Sequence, residues 1–489
     1  MTRTLAQTVA RNSVVGLAAQ VAIKALSLTF SILIVRNLGA ETYGQYAAVL
    51  AFGALFVFLA DLGLAPYVVR EIARRRDTPD GRADIESLYT NMLALRIVLA
   101  VVTGIVIIAS AWLTGRPLVM IVAIALNALG LIMYGAQGSS EALLGGFERV
   151  DVPARAKAFA QLAFVVLGAV ALWATIGYYG LIFANLVSIA LLTWLCWRAA
   201  RRLGLRRGQI AARTWPALLR SGLPFAVIGL ALGLSYKFDS VLLNVTRGDA
   251  ETGYYTAMYN LIFSAVLISN VLNTALYPSL ARQAATALQR LPHIYERTLR
   301  YLMVIAFPIA VGAWALADQI VPFLYKDGYA PAVPALQVLI WVVPLMYASE
   351  FLGYAVVIGG QERKVMRSVL ISSGFNVALN LMLVPRYGFV AAAVMTVLTE
   401  AVLVGQYVWL LRSTLRQMRW SVTLLRPLLA ALLMLAVVLA LRSQLSLPAN
   451  VAIAAIVYGG CLIALRVIGP DEVRFVRSMR SSSEATIAQ

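Results

Sequence analysis

The chain has 489 residues, of which 61% are hydrophobic and only 13% are charged. Soluble domains carry about twice that share of charged residues, so the composition excludes a soluble domain and indicates a membrane protein. The formal net charge is +19. Both cysteines, Cys196 and Cys461, lie in apolar segments, so a structural disulfide is not expected.

Fourteen apolar segments are long enough to cross a hydrocarbon core of about 30 Å as helices. Their continuous apolar character excludes the alternating strands of a membrane barrel. The sequence therefore predicts an all-α polytopic membrane protein with about 14 transmembrane helices. The predicted spans are 13–35, 44–67, 92–113, 118–143, 157–176, 178–197, 222–243, 253–277, 299–324, 332–358, 366–384, 388–411, 423–441 and 448–468.

Basic residues are concentrated on one side of these spans. The two tails and the even-numbered loops hold 32 of the 41 Lys and Arg residues. The positive-inside rule then places both termini in the cytoplasm. This asymmetry accounts for the net charge without a nucleic-acid partner, and contacts with anionic membrane lipids are expected.

Several short motifs occur twice, in the same order and about 210 residues apart. The pairs are Gly44–Tyr46 with Gly253–Tyr255, Pro66–Arg70 with Pro278–Arg282, Gly145–Arg149 with Gly359–Arg363, and Tyr179-Gly180 with Tyr387-Gly388. Recurrent loop chemistry at helix ends is the alternative to a duplication. Because six spans per copy is an even number, a duplication predicts two parallel lobes with a cavity between them.

This duplication predicts five regions. They are an N-lobe at 1–200, a basic cytoplasmic linker at 201–221, a C-lobe at 222–411, two appended spans at 412–470 and a cytoplasmic tail at 471–489.

Seven ionisable residues fall within the predicted spans, where charge is costly and often functional. The cations Lys24, Arg96 and Lys237 occupy three depths and predict a stepped path for an anion. The acids are Asp61, Asp239, Glu350 and Glu400. Pairing with the cations, binding of a coupling Na⁺ or H⁺, and a structural role all stay open for them.

Five charged residues lie at the predicted inner ends of spans and are interpreted as a cytoplasmic gate. They are Arg70, Glu148, Arg149, Glu362 and Arg363. The loops contain no convincing catalytic carboxylate pair or triad, no metal-ligand cluster and no phosphate-binding loop. We therefore expect neither an enzyme nor a cofactor.

Several motifs resemble those of the bacterial polysaccharide flippases, within the multidrug/oligosaccharidyl-lipid/polysaccharide exporter superfamily. The motifs in the first half are Arg36–Gly39, Tyr43–Tyr46, Asp61–Gly63 and Arg70-Glu71. Those in the second half are Asp239, Gly253–Tyr255, Ala257, Asn376, Asn380, Pro385, Tyr387-Gly388 and Ala391-Ala392.

The resemblance implies a bacterial inner-membrane protein that moves undecaprenyl-pyrophosphate-linked oligosaccharide outward by alternating access. On this interpretation Lys24, Arg96 and Lys237 hold the pyrophosphate. Tyr236, Asn376 and Asn380 face sugar hydroxyls, with packing as the alternative for the two asparagines. Drive by H⁺, Na⁺ or membrane potential stays open. A polysaccharide polymerase and glycosyltransferases are further expected partners.

Three other functions compete with this interpretation. The chain resembles lipid II flippases in its fourteen spans, and cation-coupled multidrug exporters share the superfamily. The three cations disfavour a drug exporter, since such drugs are usually cationic. A membrane glycosyl transferase or ligase is the competing hypothesis from a different class, and the glycan itself is not identified by the sequence.

Overall fold

A computed structural model describes residues 5–78, 81–206, 208–286 and 291–467, and in these ranges every regular element is a helix. The predicted cytoplasmic tail at 471–489 lies outside the described residues. The first eight α-helices are α1 (Leu5–Asp61), α2 (Leu64–Arg75), α3 (Gly81–Leu113), α4 (Leu118–Gly146), α5 (Asp151–Trp173), α6 (Tyr178–Arg201), α7 (Trp215–Arg247) and α8 (Asp249–Thr286). The others are α9 (Leu291–Ala315), α10 (Ala317–Tyr325), α11 (Val333–Leu339), α12 (Val342–Ile358), α13 (Glu362–Leu410), α14 (Arg412–Leu415), α15 (Arg426–Leu441) and α16 (Leu447–Ala464).

Helices α1 and α13 each contain an internal break. At 57 and 49 residues they are far longer than the roughly 20 residues that one membrane crossing needs. Each is interrupted at a glycine with positive φ, Gly39 at 73° and Gly388 at 65°. A residue with a Cβ rarely adopts this conformation, so the glycines divide each long helix into two.

The described residues contain 11 helices that are long and apolar enough to cross a membrane, or up to 12 if one bent pair forms a single span. That pair, Asp327–Leu339 and Val342–Ile358, bends by 41°. With α1 and α13 each divided at its glycine, every one of the fourteen predicted segments has a helical counterpart. The prediction of an all-α polytopic membrane protein is confirmed.

Positive-φ glycines mark helix starts at matching places in the two halves of the chain. Gly39 has φ 73° and ψ 172°, and Gly248, which is 209 residues later, has φ 91° and ψ −174°. Gly177 has φ 72° and ψ −156°, and Gly388, which is 211 residues later, has φ 65° and ψ −150°. The backbone therefore supports the duplication, but the partner of Gly388 is Gly177 and not Gly180, as the sequence comparison had matched it.

The chain divides into two compact units. Unit 1 comprises residues 1–257 and 369–395, and unit 2 comprises residues 258–368 and 396–489. These boundaries differ from those of the predicted lobes, which stay a prediction. All six residues predicted to bind substrate belong to unit 1 by their numbers.

In unit 2, the two appended spans share a core with α9. Val311 and Ala315 of α9 pack with Met434 and Val438 of α15 and with Tyr458 of α16, and all five are buried. The Tyr458 hydroxyl also donates a hydrogen bond of 2.8 Å to the carbonyl oxygen of Val304. Spans 13 and 14 are therefore an integral part of this unit.

In unit 1, the basic linker is fastened to the inner end of α3. The buried Asn91 donates to the carbonyl oxygen of Gln209 at 3.0 Å and accepts from the backbone N–H of Ala211 at 2.8 Å. The carboxylate of Glu86 accepts from the backbone N–H of Arg206 at 2.8 Å. These bonds hold the linker against the protein, so its backbone follows α3.

Candidate functional site

An ion pair joins α1 and α3 within unit 1. Arg96 Nη2 lies 2.8 Å from Asp61 Oδ1, and the side chains of Arg96 and Asp61 are 2% and 27% exposed. Arg96 Nε and Nη1 are buried without a hydrogen-bond partner among the described residues. The guanidinium is thus neutralised by one carboxylate, yet it retains unused donors.

Two glycines of α4 make room for Arg96. A Cβ placed on Gly138 would lie 2.7 Å from both Nη1 and Nη2, and one placed on Gly135 would lie 3.3 Å from the carbonyl oxygen of Arg96. Larger residues at these positions would collide with the arginine. The surface of α4 is therefore shaped to hold this guanidinium.

The other two predicted cationic ligands are more accessible than Arg96. Lys24 is exposed and Lys237 is half-buried. Tyr236, the predicted aromatic ligand, is 38% exposed. All three belong to unit 1, but the structure does not join them to the Asp61–Arg96 pair, so their contact with a substrate stays a prediction.

Asp239 of α7 is a buried acid whose partners are hydrogen-bond donors. Its side chain accepts from the Tyr255 hydroxyl through Oδ2 and from the backbone N–H of Ser240 through Oδ1, the latter at 2.7 Å. Asp239 and Tyr255 are 1% and 0% exposed. This arrangement ties α7 to the start of α8.

Asn376 and Asn380 face the packed interior of unit 1. They are 2% and 0% exposed, and Asn380 Nδ2 donates to Asn376 Oδ1 at 3.0 Å. On the same helix, Ser373 donates to the carbonyl oxygen of Ala231 in α7 at 3.0 Å. In this conformation the two amides are shielded from any sugar, which favours the packing alternative.

Unit 2 contains the remaining two acids of the spans. Glu350 Oε2 accepts from Ser269 Oγ at 2.8 Å and from Asn273 Nδ2 at 3.4 Å. Glu400 Oε1 accepts from the hydroxyl of Ser349. No Lys or Arg side chain that the structure describes lies within 4.0 Å of either carboxylate.

A polar network that the sequence did not indicate lies on the side of unit 1 predicted to face outward. Arg116 Nη1 donates to the carbonyl oxygen of Asn244 at 2.9 Å and to its Oδ1 at 2.7 Å, while Asn244 Nδ2 donates to Asp249 at 2.7 Å. Burial lowers the pKa of Arg116 and the nearby Asp249 opposes that shift. The sequence showed Arg116 only as one of the few basic residues in an odd-numbered loop.

Beside this network, α1 and α8 touch through their backbones. A Cβ on Gly44 would lie 1.8 Å from the carbonyl oxygen of Asp249, and a Cβ on Gly253 would lie 2.0 Å from that of Ala40. Each contact is the counterpart of the other at a displacement of 209 residues. The first recurring motif of the sequence thus has a structural role, since glycine permits this close crossing.

The residues predicted as a cytoplasmic gate are mostly exposed. Arg76 donates to Glu148 at 2.9 Å, and this hydrogen bond raises the pKa of Arg76. The side chain of Arg70 is 52% exposed and lies 3.8 Å from Glu71. Arg149, Glu362 and Arg363 are also exposed. No ion pair links these five to one another in the described ranges, so a gating role stays a prediction.

Comparison with known families decides the family of the chain. The family described as polysaccharide biosynthesis protein matches residues 9–283, which is more than half of the sequence. The chain belongs to this family. The resemblance seen in the sequence motifs is therefore confirmed.

Two archaeal proteins show partial similarity. One is the "Probable low-salt glycan biosynthesis flippase Agl15" of Haloferax volcanii, 21% identical over 180 residues, which are 36% of this chain and 38% of that protein. The other is the "Uncharacterized membrane protein MJ1068" of Methanocaldococcus jannaschii, 25% identical over 121 residues, or 24% of each chain. The chain thus matches well under half the length of these relatives.

Two solved structures show the fold over most of the chain. The lipid II flippase MurJ, in an inward closed conformation, superposes with a TM-score of 0.78 and 12% identity over 93% of this chain and 99% of that one. An inward-facing multidrug resistance MATE family transporter superposes with a TM-score of 0.64 and 14% identity over 81% and 96%. At such low identity the likeness concerns the fold alone.

Proposed function

We propose that the protein is a flippase that moves undecaprenyl-pyrophosphate-linked oligosaccharide from the inner to the outer leaflet by alternating access. The family match supports a part in polysaccharide biosynthesis. The fold shared with MurJ, whose name states that it flips lipid II, supports transport of a large lipid-linked sugar.

Arg96 is the observation that carries this proposal. A guanidinium that is 2% exposed has one carboxylate partner and two nitrogens without a hydrogen-bond acceptor among the described residues. Arginine binds phosphate oxygens with paired, charge-assisted hydrogen bonds. Asp61 is 27% exposed, so an entering pyrophosphate would approach Arg96 from the side of Asp61 and replace that carboxylate.

The electrical gradient favours outward movement of such a substrate. A pyrophosphate diester carries about two negative charges, and each gains about 2.3 kcal/mol per 100 mV when the cytoplasm is negative. Moving both charges without a counter-ion would gain about 4.6 kcal/mol per 100 mV. Membrane potential would therefore assist export.

Translocation in reconstituted vesicles tests the proposal. Arg96→Lys keeps the positive charge beside Asp61 but removes the paired donors, so we expect at least a tenfold loss of oligosaccharide-lipid flipping. Arg149→Lys, an exposed arginine of unit 1, is the matched control and should flip at the wild-type rate. Wild-type flipping by Arg96→Lys would contradict the role of Arg96.

The same vesicles separate the competing functions. Faster movement of lipid II than of oligosaccharide-lipid would assign the chain to peptidoglycan export. Uptake or release of a cationic dye would favour a drug exporter. Covalent transfer of sugar by the purified protein would show an enzyme instead.

A further inference from the structure

Glu350 of α12 lies in a polar cluster inside unit 2. Its carboxylate accepts hydrogen bonds from Ser269 and Asn273 of α8, and also interacts with Asn270. Glu400 of α13 interacts electrostatically with Glu350 and accepts from Ser349, the residue next to it. Two acids and several neutral oxygen-bearing side chains are thereby brought together.

The cluster has an excess of negative charge. A carboxylate that leaves water for an apolar span requires a counter-charge or a proton. Among the residues that the structure describes, no lysine or arginine is paired with Glu350 or Glu400. The nearby titratable groups are the phenols of Tyr347 and Tyr407, which are uncharged at neutral pH. A positively charged occupant would balance the cluster.

Asn273 supplies a second, independent observation. The residue is 2% exposed, and its Nδ2 donates to Ser269 Oγ at 3.0 Å as well as to Glu350. Its Oδ1 is buried with no hydrogen-bond partner. A buried amide oxygen beside a carboxylate lacks a positive partner, and protonation of Glu350 alone would leave it without one.

We propose that unit 2 binds a sodium ion at Glu350, with Asn273 Oδ1 and Ser269 Oγ as further ligands and Glu400 as a second nearby negative charge. Carboxylate, amide and hydroxyl oxygens suit a hard cation. The described residues contain no group of three or more His, Cys, Asp or Glu side chains suited to a multivalent metal, which favours a monovalent ion. Coupling of this ion to transport would rest on the proposed flippase function, whereas binding does not.

Sodium binding to the purified full-length protein tests the proposal without any transport substrate. We expect NaCl, but not choline chloride at equal ionic strength, to raise the thermal unfolding midpoint by a few degrees in a saturable manner. Radioactive ²²Na⁺ should bind with the same midpoint concentration. Glu350→Gln and Asn273→Ala should each weaken binding at least tenfold.

The exposed acid Asp327 of the same unit provides the matched control, since Asp327→Asn should retain wild-type binding. If Glu350→Gln does not fold, ²²Na⁺ binding to the wild-type chain and to Asn273→Ala decides. Equal midpoints in sodium and choline without ²²Na⁺ binding would overturn the proposal. So would a response to pH or Ca²⁺ but not to Na⁺. Intact sodium binding in a chain that flips no lipid would contradict the flippase function alone.

Discussion

The two units neutralise their buried acids in different ways. In unit 1, Asp61 lies 2.8 Å from the guanidinium of Arg96, and Asp239 receives hydrogen bonds from Tyr255 and Ser240. In unit 2, Glu350 and Glu400 have hydroxyl and amide donors but no described cation. Charge alone therefore does not define a role, because the same kind of residue completes an ion pair in one unit and leaves a vacant positive charge in the other.

The largest expected effect comes from removing one member of the ion pair. Asp61→Ala would leave Arg96 buried without a counter-charge, so we expect the free energy of unfolding to fall by about 3 kcal/mol. Thermal unfolding in detergent measures this loss. Adding Arg96→Met should restore much of the stability, and a double variant less stable than Asp61→Ala would show that the pair is not the cause.

Unit 2 also contains one paired acid, which sharpens the comparison. Glu296 is 4% exposed and accepts from the backbone N–H and the guanidinium of Arg419 at 2.9 to 3.3 Å. Glu296→Ala should cost about 2 kcal/mol, since hydrogen bonds to charged groups are lost. The control Asp327→Ala, at an exposed position, should leave the unfolding midpoint unchanged.

A smaller loss is expected where a neutral donor serves an acid of unit 1. Tyr255→Phe removes the hydroxyl that donates to Asp239 and should lower the free energy of unfolding by about 1.5 kcal/mol. Tyr387→Phe, at a position that is 66% exposed, is the control. Equal stability of Tyr255→Phe and the wild type would imply that Asp239 is satisfied without this bond.

The smallest effect should come from neutralising Glu350. In sodium-free buffer, Glu350→Gln removes a charge without a described counter-ion but weakens its hydrogen bonds, so stability should change by less than about 0.5 kcal/mol. In NaCl the wild type should become the more stable of the two. A loss as large as that of Asp61→Ala in choline would erase the difference between the units.

Local sequence properties predicted the spans but not the contacts between them. Apolar length identified all fourteen segments, because a helix must cover a fixed hydrocarbon thickness. The Asp61–Arg96 pair was not predictable, since seven ionisable residues on different helices allow many pairings. Helical spacing says which side of a helix a residue occupies, not which neighbour it meets.

The Arg116–Asn244 network shows a second limit. Its atoms come from the loop after α3 and the end of α7, which are 128 residues apart. Nothing in either local sequence indicates the other. By contrast, Gly39 and Gly248 could have been matched in advance, because each precedes a helix start and lies five residues before a recurring glycine, Gly44 or Gly253.

The crossing of α1 and α8 at Gly44 and Gly253 has a mechanical consequence. Backbone atoms have no rotamers, so a contact formed by them does not need to repack when one helix rolls over the other. Interlocked large side chains would resist such rotation because they must disengage first. The crossing can therefore serve as a pivot that keeps its position while the angle between the helices changes.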